Sequence, residues 1–263
     1  MNQTGNTILI TGGGSGIGRG LAEAFHRDGN RVIIAGRRRS VLEETARANP
    51  GMSFLTLDVE NPDELPHFAA EARARFPALN VLINNAGIMK SENLKSGVED
   101  LAIAEQTVAI NLLGTFRVTA ALMPLLLAQP KATIMTVTSG LAFVPIFPNA
   151  SYCATKAAIH SWTQSLRYQL RDTPVEVLEI VPPYVQTELT GRFQLEDPNA
   201  MPLAEYISET MPLLRNPPPS GEILVERVRS RRFAERNGEY DQAYAHWNDY
   251  AAKRAVERAA KGH

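Results

Sequence analysis

The sequence predicts an α/β protein whose parallel β-sheet is doubly wound, with helices on both faces. Two observations carry this prediction. Between residues 7 and 185, short β-branched apolar runs alternate with amphipathic stretches of helical period. A glycine-rich turn, residues 11–18, directly follows the first apolar run. A strand followed by a helix, repeated along the chain, gives parallel strands joined by right-handed crossovers.

Six apolar runs match the pattern of buried strands, because they are short, rich in Val, Ile and Thr, and bounded by turn residues. They cover residues 7–11, 31–35, 53–57, 81–84, 133–137 and 175–181. The stretches of helical period between them include 16–27, 40–48, 63–75 and 101–127. In such a sheet, ligands bind at the carboxyl ends of the strands, near the switch in strand order.

The turn after the first run has glycines at a spacing that suits a dinucleotide. Glycine lets the backbone bend tightly and approach a diphosphate, and the start of the next helix offers free N–H groups. Glycine-rich turns also occur without a ligand, so the position of this turn between a strand and a helix is the stronger evidence for cofactor binding. We expect cofactor contacts from Gly12, Gly14, Ser15, Gly16, Ile17 and Gly18.

The end of the second run bears on which nicotinamide nucleotide the chain prefers. An acidic residue there would bind the 2′-hydroxyl of NAD(H) and repel a 2′-phosphate. The chain instead has Gly36 followed by Arg37, Arg38 and Arg39. Guanidinium groups match phosphate in charge and geometry, although basic residues also commonly begin a solvated helix. The sequence favours NADP(H) over NAD(H), with Arg37 as the first phosphate ligand and Arg38 as the second.

Ser139, Tyr152 and Lys156 form the next pattern. Ser139 ends an apolar run, and Tyr152 and Lys156 lie four residues apart in a helical segment, so they share one face. An ammonium near a phenol lowers the pKa of the phenol, which makes the tyrosine a usable acid or base near neutral pH. A serine hydroxyl can bind a substrate oxygen as charge develops on it. Taken alone, such a Tyr–Lys pair is more often a surface pair than a catalytic one.

Five motifs follow one another between residues 5 and 190: TGGGSGIG, the Asn-Asn-Ala-Gly of 84–87, Asn111, Ser139 and Tyr152-x-x-x-Lys156. In this combination the chain resembles the short-chain dehydrogenase/reductase family, and its C-terminal part resembles the DltE-like branch. The resemblance implies a Rossmann fold and hydride transfer between a nicotinamide and a carbonyl or alcohol carbon. It implies Tyr152 as the acid/base and Ser139 as the donor to the substrate oxygen. It also implies that Lys156 binds the nicotinamide ribose and that Asn111 anchors a water in a proton relay.

The same resemblance implies further cofactor contacts, at the adenine, along the Asn-Asn-Ala-Gly motif and near the carboxamide. They are Asp58, Val59, Asn85, Ala86, Gly87, Tyr152, Lys156, Val185 and Thr187. The chain departs from the family at Pro183, which stands where the family has glycine. It also lacks the family's C-terminal strand with an Asp-Gly-Gly ending. Because that strand often helps to form the tetramer, both a homodimer and a homotetramer stay open.

After residue 185 the composition changes. Six prolines between residues 187 and 221 predict a mobile lid with short helices. Residues 222–258 return to a helical pattern, so we interpret 1–263 as a single domain with a lid and a helical C-terminal segment. By their place near the catalytic set, the residues expected around the carbonyl are Leu141, Phe143, Val144, Phe147 and Tyr184. They carry no charge, which predicts a hydrophobic ketone or aldehyde as the substrate, although Arg192 and Arg215 of the lid could bring a charge inward.

Bulk composition argues against several other classes. The net charge of −1, from 27 basic and 28 acidic residues, gives no overall attraction to nucleic acid or an anionic membrane. One cysteine excludes an internal disulfide, and the five histidines lack zinc-ligand spacing, so no metal is expected. The N-terminus has no signal-peptide pattern, and the apolar run 120–128 is too short to span a bilayer. These observations predict a cytoplasmic protein.

Two alternatives stay open beside a carbonyl reductase or alcohol dehydrogenase. A non-catalytic NADP(H)-binding regulator could use the same fold, but a sensor does not need a proton-transfer set such as Ser139, Tyr152 and Lys156. An epimerase or dehydratase of the extended family fits less well, because the chain is short and its glycine spacing differs. If NADPH is the cofactor, reduction is the favoured direction.

Overall fold

In a computed structural model, which describes residues 4–93, 95, 97–98 and 101–260, the strands form one seven-stranded sheet. The strands are β1 (Thr7–Thr11), β2 (Arg31–Gly36), β3 (Ser53–Thr56), β4 (Leu79–Asn84), β5 (Ala132–Val137), β6 (Val175–Val181) and β7 (Glu222–Leu224). Their order is β3-β2-β1-β4-β5-β6-β7, and every neighbouring pair is parallel. The predicted parallel, doubly wound sheet is therefore confirmed.

Helices flank the sheet on both faces. They are α1 (Gly16–Arg27), α2 (Arg39–Ala48), α3 (Leu65–Arg75), α4 (Leu101–Thr107), α5 (Gly114–Leu127), α6 (Ala150–Gln169), α7 (Arg192–Leu195), α8 (Leu203–Arg215), α9 (Glu226–Phe233) and α10 (Tyr240–Ala260). Side chains alternate across a strand, so β1 contributes residues to two hydrophobic cores. Ile8 and Ile10 pack with Leu21 of α1 in the first core, whereas Leu9 packs with Phe68 of α3 in the second core. Burial on both faces explains why the strands are apolar runs rather than alternating ones.

One strand at the edge of the sheet was not predicted. β7 pairs in parallel with β6, with Ile223 opposite Ile180. The prediction of a helical segment over 222–258 is therefore wrong for Glu222–Leu224, which form a C-terminal strand without the Asp-Gly-Gly ending. Three residues are too few to show a strand period, and β7 depends on a tertiary partner, because Arg232 of α9 donates to Glu222 at 2.6 and 2.8 Å. The expectation of a homodimer or homotetramer stays a prediction.

The segment predicted as a lid, residues 187–221, divides into two parts. Its second part contains α8, which packs against α1 and buries Tyr206, Met211 and Leu214 in the first core. An amphipathic helix with this apolar face belongs to the core rather than to a lid. The first part, with α7, borders the cavity described below. The mobility of this first part stays a prediction.

The helical stretch Leu101–Leu127 joins α4 and α5 through a π-helical turn, Val108–Leu113. By length and composition alone it is apolar enough to cross a membrane, and it is much longer than the run 120–128. In this fold one face of the stretch packs on the sheet, where Val118, Leu122 and Leu126 are buried. Packing of one face against the sheet accounts for part of its apolar composition.

Candidate active site

A cavity of about 980 Å³ lies at the carboxyl ends of the strands. The strand order reverses between β1 and β4, which is where doubly wound sheets bind ligands. The glycine turn after β1 and Arg37 after β2 line one side of the cavity. Ser139 after β5 and Tyr152 of α6 line the other side, where α10 closes the wall.

The glycine turn forms a cradle at the start of α1. Gly12 has φ +66° and Gly16 has φ +52°, a left-handed conformation that other residues rarely adopt. A Cβ at Gly16 would lie 3.4 Å from the Thr187 side chain, so glycine keeps this part of the wall open. The first turn of α1 has no acidic residue to offset the positive end of the helix dipole. These features fit the diphosphate of a dinucleotide.

Two of the predicted turn residues do not line the cavity. A Cβ at Gly18 would overlap the side-chain amide nitrogen of Asn85 and the carbonyl oxygen of Gly12. A Cβ at Gly14 would lie 3.1 Å from the Val41 side chain of α2. Gly14 and Gly18 therefore serve close packing around the turn, and their contact with a cofactor stays a prediction.

The structure brings the other predicted cofactor residues together in one wall. These are Gly12, Ser15, Gly16, Ile17, Arg37, Arg38, Asp58, Val59, Asn85, Ala86, Gly87, Tyr152, Lys156, Val185 and Thr187. Thr11 links two of the motifs, because its hydroxyl oxygen accepts from the backbone N–H groups of Asn85 and Ala86 at 3.0 and 3.1 Å. The Arg38 guanidinium donates to Ser15 Oγ at 3.2 Å, and Arg37 is exposed. The wall therefore combines a glycine turn with two guanidinium groups, and both features are compatible with a nicotinamide nucleotide.

Ser139, Tyr152 and Lys156 meet in the same cavity. The Ser139 side chain lies close enough to the Tyr152 hydroxyl to influence its pKa. The Lys156 ammonium lies 5.5 Å from the centroid of the Tyr152 ring and donates to the Val137 carbonyl at 2.7 Å. Ser139 follows β5 in an extended conformation, and its Oγ accepts from the backbone N–H of Leu141 at 3.1 Å. The end of β5 and one face of α6 therefore bring these three side chains to the same cavity, as the sequence predicted.

Burial changes the pKa values of Tyr152 and Lys156 in opposite directions. It raises the pKa of Tyr152 above its ordinary range, and the influence of the Ser139 side chain only partly offsets this. It lowers the pKa of Lys156 to about 8. The expected lowering of the Tyr152 pKa by Lys156 is not seen, since the ammonium points to the Val137 carbonyl. At neutral pH the tyrosine keeps its proton and is poised as an acid.

Asn111 lies in the π-helical turn and is completely buried. Its Oδ1 accepts from the backbone N–H of Ile88 at 2.8 Å, and its Nδ2 donates to the Ile88 carbonyl at 2.9 Å and to Thr155 Oγ1 at 3.3 Å. The side chain thus fixes the residue after the Asn-Asn-Ala-Gly motif and does not reach the cavity wall. π-Helical turns are common at functional sites. A place for Asn111 in a proton relay stays a prediction.

The residues predicted around the substrate carbonyl divide into two groups. Leu141 and Tyr184 line the cavity. Phe143, Val144 and Phe147 do not, contrary to the prediction. Phe143 packs against the first core, Val144 is completely buried, and Phe147 is exposed. Phe143 directly follows the 3-10 turn Gly140–Ala142, and Phe147 begins the 3-10 turn Phe147–Asn149.

The wall formed by the C-terminal helices was missed by the sequence prediction. Its members are Arg231, Trp247, Tyr250, Ala251, Arg254 and Ala255. Asn248 fixes α10 at this place, because its Nδ2 donates to the Pro145 carbonyl at 3.1 Å and its Oδ1 accepts from the Phe147 N–H at 2.8 Å. These contacts join segments about 100 residues apart, which no local pattern reveals. The apolar helical spacing of Trp247 and Ala251 is the available signal.

A charged cluster next to the cavity was also unexpected. Ligand-type atoms of His160, Glu179 and Glu222 lie within 4.8 Å of one another. Glu179 accepts from His160 Nδ1 at 2.8 Å and from the Thr138 hydroxyl at 2.7 Å. Glu222 is already paired with Arg232. Each carboxylate therefore has a protein partner, and the cluster acts as a buried polar network that supports the end of β5.

Comparison with known sequences assigns the family. A model of the short chain dehydrogenase family matches residues 6–197. DltE of Bacillus subtilis, an uncharacterised oxidoreductase, is 39% identical over 251 residues, which cover 94% of this chain and 98% of DltE. An uncharacterised oxidoreductase of Staphylococcus aureus is 32% identical over 198 residues, covering 74% of this chain and 84% of that protein. The chain belongs to the short-chain dehydrogenase/reductase family, in its DltE-like branch.

Comparison with solved structures confirms the fold. A short chain dehydrogenase from Burkholderia cenocepacia in complex with NADP has a TM-score of 0.78 and 23% identity, covering 92% of this chain and 99% of that one. A short chain dehydrogenase/reductase from Burkholderia phymatum in complex with NAD has a TM-score of 0.76 and 21% identity, covering 91% and 96%. The predicted Rossmann-type fold is therefore confirmed.

Proposed function

We propose that the chain is an NADP(H)-dependent carbonyl reductase, which reduces a ketone or aldehyde with a hydrophobic body to the alcohol. The observation that carries this proposal is the meeting of Ser139, Tyr152 and Lys156 with the glycine cradle in one cavity. Membership of an oxidoreductase family supports the reaction class. Leu141, Trp247 and other apolar side chains in the wall support a hydrophobic body for the substrate.

The preference for NADP(H) rests on charge at the end of β2. Gly36 leaves no carboxylate to bind a 2′-hydroxyl, and Arg37 and Arg38 line the cavity beside it. Fold neighbours were solved with NADP and with NAD, so the fold alone is compatible with either. Two guanidinium groups favour the nucleotide that carries the additional phosphate.

The residues of this chain have separate tasks in the reaction. The bound nicotinamide nucleotide supplies the hydride. Ser139 Oγ and the Tyr152 hydroxyl bind the carbonyl oxygen, on which negative charge develops. Tyr152, kept protonated by burial, then transfers its proton to that oxygen. Lys156 stabilises the phenolate that remains once its ammonium turns from the Val137 carbonyl toward the Tyr152 oxygen.

The test is cofactor oxidation with a panel of ketones and aldehydes, each assayed with NADPH and with NADH. We expect absorbance at the nicotinamide band to fall with NADPH and hydrophobic carbonyls. Tight binding of NADPH without turnover on any carbonyl, and without reverse turnover on the matching alcohols, would contradict an enzymatic function.

A further inference from the structure

Arg231 places a positive charge in the substrate side of the cavity. It lies in the last turn of α9, and its guanidinium stacks on the Trp247 ring at 3.6 Å from the centroid. A Cβ at Gly140 would lie 3.2 Å from Arg231 Cδ. Gly140 directly follows Ser139, so this arginine packs beside the residue that binds the substrate oxygen.

Arg231 differs from the other arginines on this side of the cavity. Arg254 pairs with Asp197 and Glu257, and Arg192 pairs with Glu196 at 2.6 Å. Within the described ranges of the chain, no carboxylate lies within 4.0 Å of the Arg231 guanidinium and no protein atom accepts a hydrogen bond from it. Arg231 thus lines the cavity without a carboxylate partner among the described residues.

Burying the Arg231 guanidinium in these surroundings costs free energy when no ligand is bound. Burial lowers the pKa of Arg231 to about 10, so the group stays charged at neutral pH but loses much of its hydration. Trp247 covers one face of the guanidinium, and the N–H donors, which lie in the guanidinium plane, do not point at the ring. Desolvated charged donors are stabilised by an anionic acceptor.

We propose that Arg231 binds a carboxylate of the substrate, which makes the substrate a carbonyl acid with an apolar or aromatic body. This rests on the proposed function, because it assigns the substrate of the same site. A carboxylate fits better than a phosphate, since a single guanidinium among Leu141, Trp247 and Tyr250 matches one charge and a planar pair of oxygens.

The sequence predicted an uncharged pocket, whereas Arg231 and Arg254 both line the cavity. The sequence pointed to Arg192 and Arg215 as residues that could bring a charge inward. Arg192 is paired with Glu196, and Arg215 pairs with Asp28 at 2.7 Å away from the cavity. The cation comes instead from α9, which the sequence placed in a C-terminal segment without a role in the site.

The experiment compares an acid with its uncharged amide. Phenylacetate and phenylacetamide are titrated by calorimetry into the enzyme loaded with NADP+. We expect the acid to bind about 10- to 100-fold more tightly, the range for a hydrogen bond to a charged group. Arg231→Met should remove this preference, and Arg231→Lys should keep part of it. Arg229→Met, on the exposed side of the same helix and paired with Glu226 at 3.6 Å, should keep it in full.

The outcomes separate the two proposals. If wild-type enzyme binds the amide as tightly as the acid, or if Arg231→Met keeps the preference, the carboxylate subsite is wrong. The comparison of acid and amide on wild-type enzyme tests the carboxylate subsite even if Arg231→Met does not fold. If the acid preference is present but no carbonyl compound is reduced, the subsite stands and the oxidoreductase function fails.

Discussion

Tyr152 and Lys156 lie side by side in the cavity wall, 7% and 4% exposed, and burial acts on them in opposite ways. It disfavours phenolate in one and ammonium in the other, since both are the charged forms. Up to about pH 8 the pair therefore holds a protonated phenol next to an ammonium. This is the state required to give a proton to a developing alkoxide and to stabilise the phenolate left behind.

The pKa of Lys156 sets a pH limit for reduction. Its charged form is the acid form, so the ammonium is present below about pH 8 and is lost as the pH rises through that value. We expect kcat/KM for carbonyl reduction to fall above about pH 8, while Tyr152 keeps its proton. Lys156→Arg should move the falling limb to higher pH, because a guanidinium stays charged. A wild-type profile that is flat into the range where lysine normally titrates would contradict this role.

Arg37 is the residue on which the cofactor preference depends. Arg37→Ala should weaken NADPH binding about 10- to 100-fold and leave NADH binding nearly unchanged, because only NADPH carries the 2′-phosphate. Fluorescence titration with both nucleotides measures this difference. The matched control is Arg39→Ala, since Arg39 pairs with Glu43 at 2.7 Å and does not line the cavity. If Arg37→Ala lost affinity equally for NADPH and NADH, another residue would bind the 2′-phosphate.

At the scale of elements, the start of α1 depends on close packing behind the glycine turn. Gly18→Ala would drive a methyl group into the Gly12 carbonyl and the Asn85 amide. We expect the free energy of unfolding to fall by about 1–3 kcal/mol, the usual cost of overpacking, together with weaker nucleotide binding. Denaturant unfolding measures the first effect. Gly14→Ala is the control, because its methyl group would meet the Val41 and Leu42 side chains, which can adjust. Similar losses in both variants would argue against this packing role.

The elements differ in how far the sequence predicted them. β1 and β6 were predicted to the residue, because a strand buried on both faces appears as an apolar run with sharp ends. β7 was missed because its stability comes from β6 and Arg232 rather than from its own three residues. The side chain of Phe143 was misplaced because a 3-10 turn after Ser139 sets its direction, which proximity in sequence does not reveal.

At the scale of the whole molecule, the cavity has two halves of different origin. The half for the cofactor comes from turns that directly follow strands, so its residues could be found by their order along the chain. The half that we propose for the substrate includes residues of α9 and α10, and a hydrogen bond between Asn248 and Phe147 joins α10 to the segment after β5. Arg231 and Trp247 enter the site through that tertiary contact, so the sequence predicted the chemistry but not the charge of the pocket.

The central claim is that this cavity reduces a carbonyl by proton transfer from Tyr152. The measurement that tests it most directly is NADPH oxidation by wild-type enzyme and Tyr152→Phe on the same carbonyl substrate, with the NADPH dissociation constant determined in parallel. The substitution removes the hydroxyl and keeps the ring, so nucleotide binding should be unchanged. Turnover should fall about 10²- to 10⁴-fold, the contribution of a positioned acid. Near-wild-type turnover by the Phe variant, with NADPH still bound, would contradict the account.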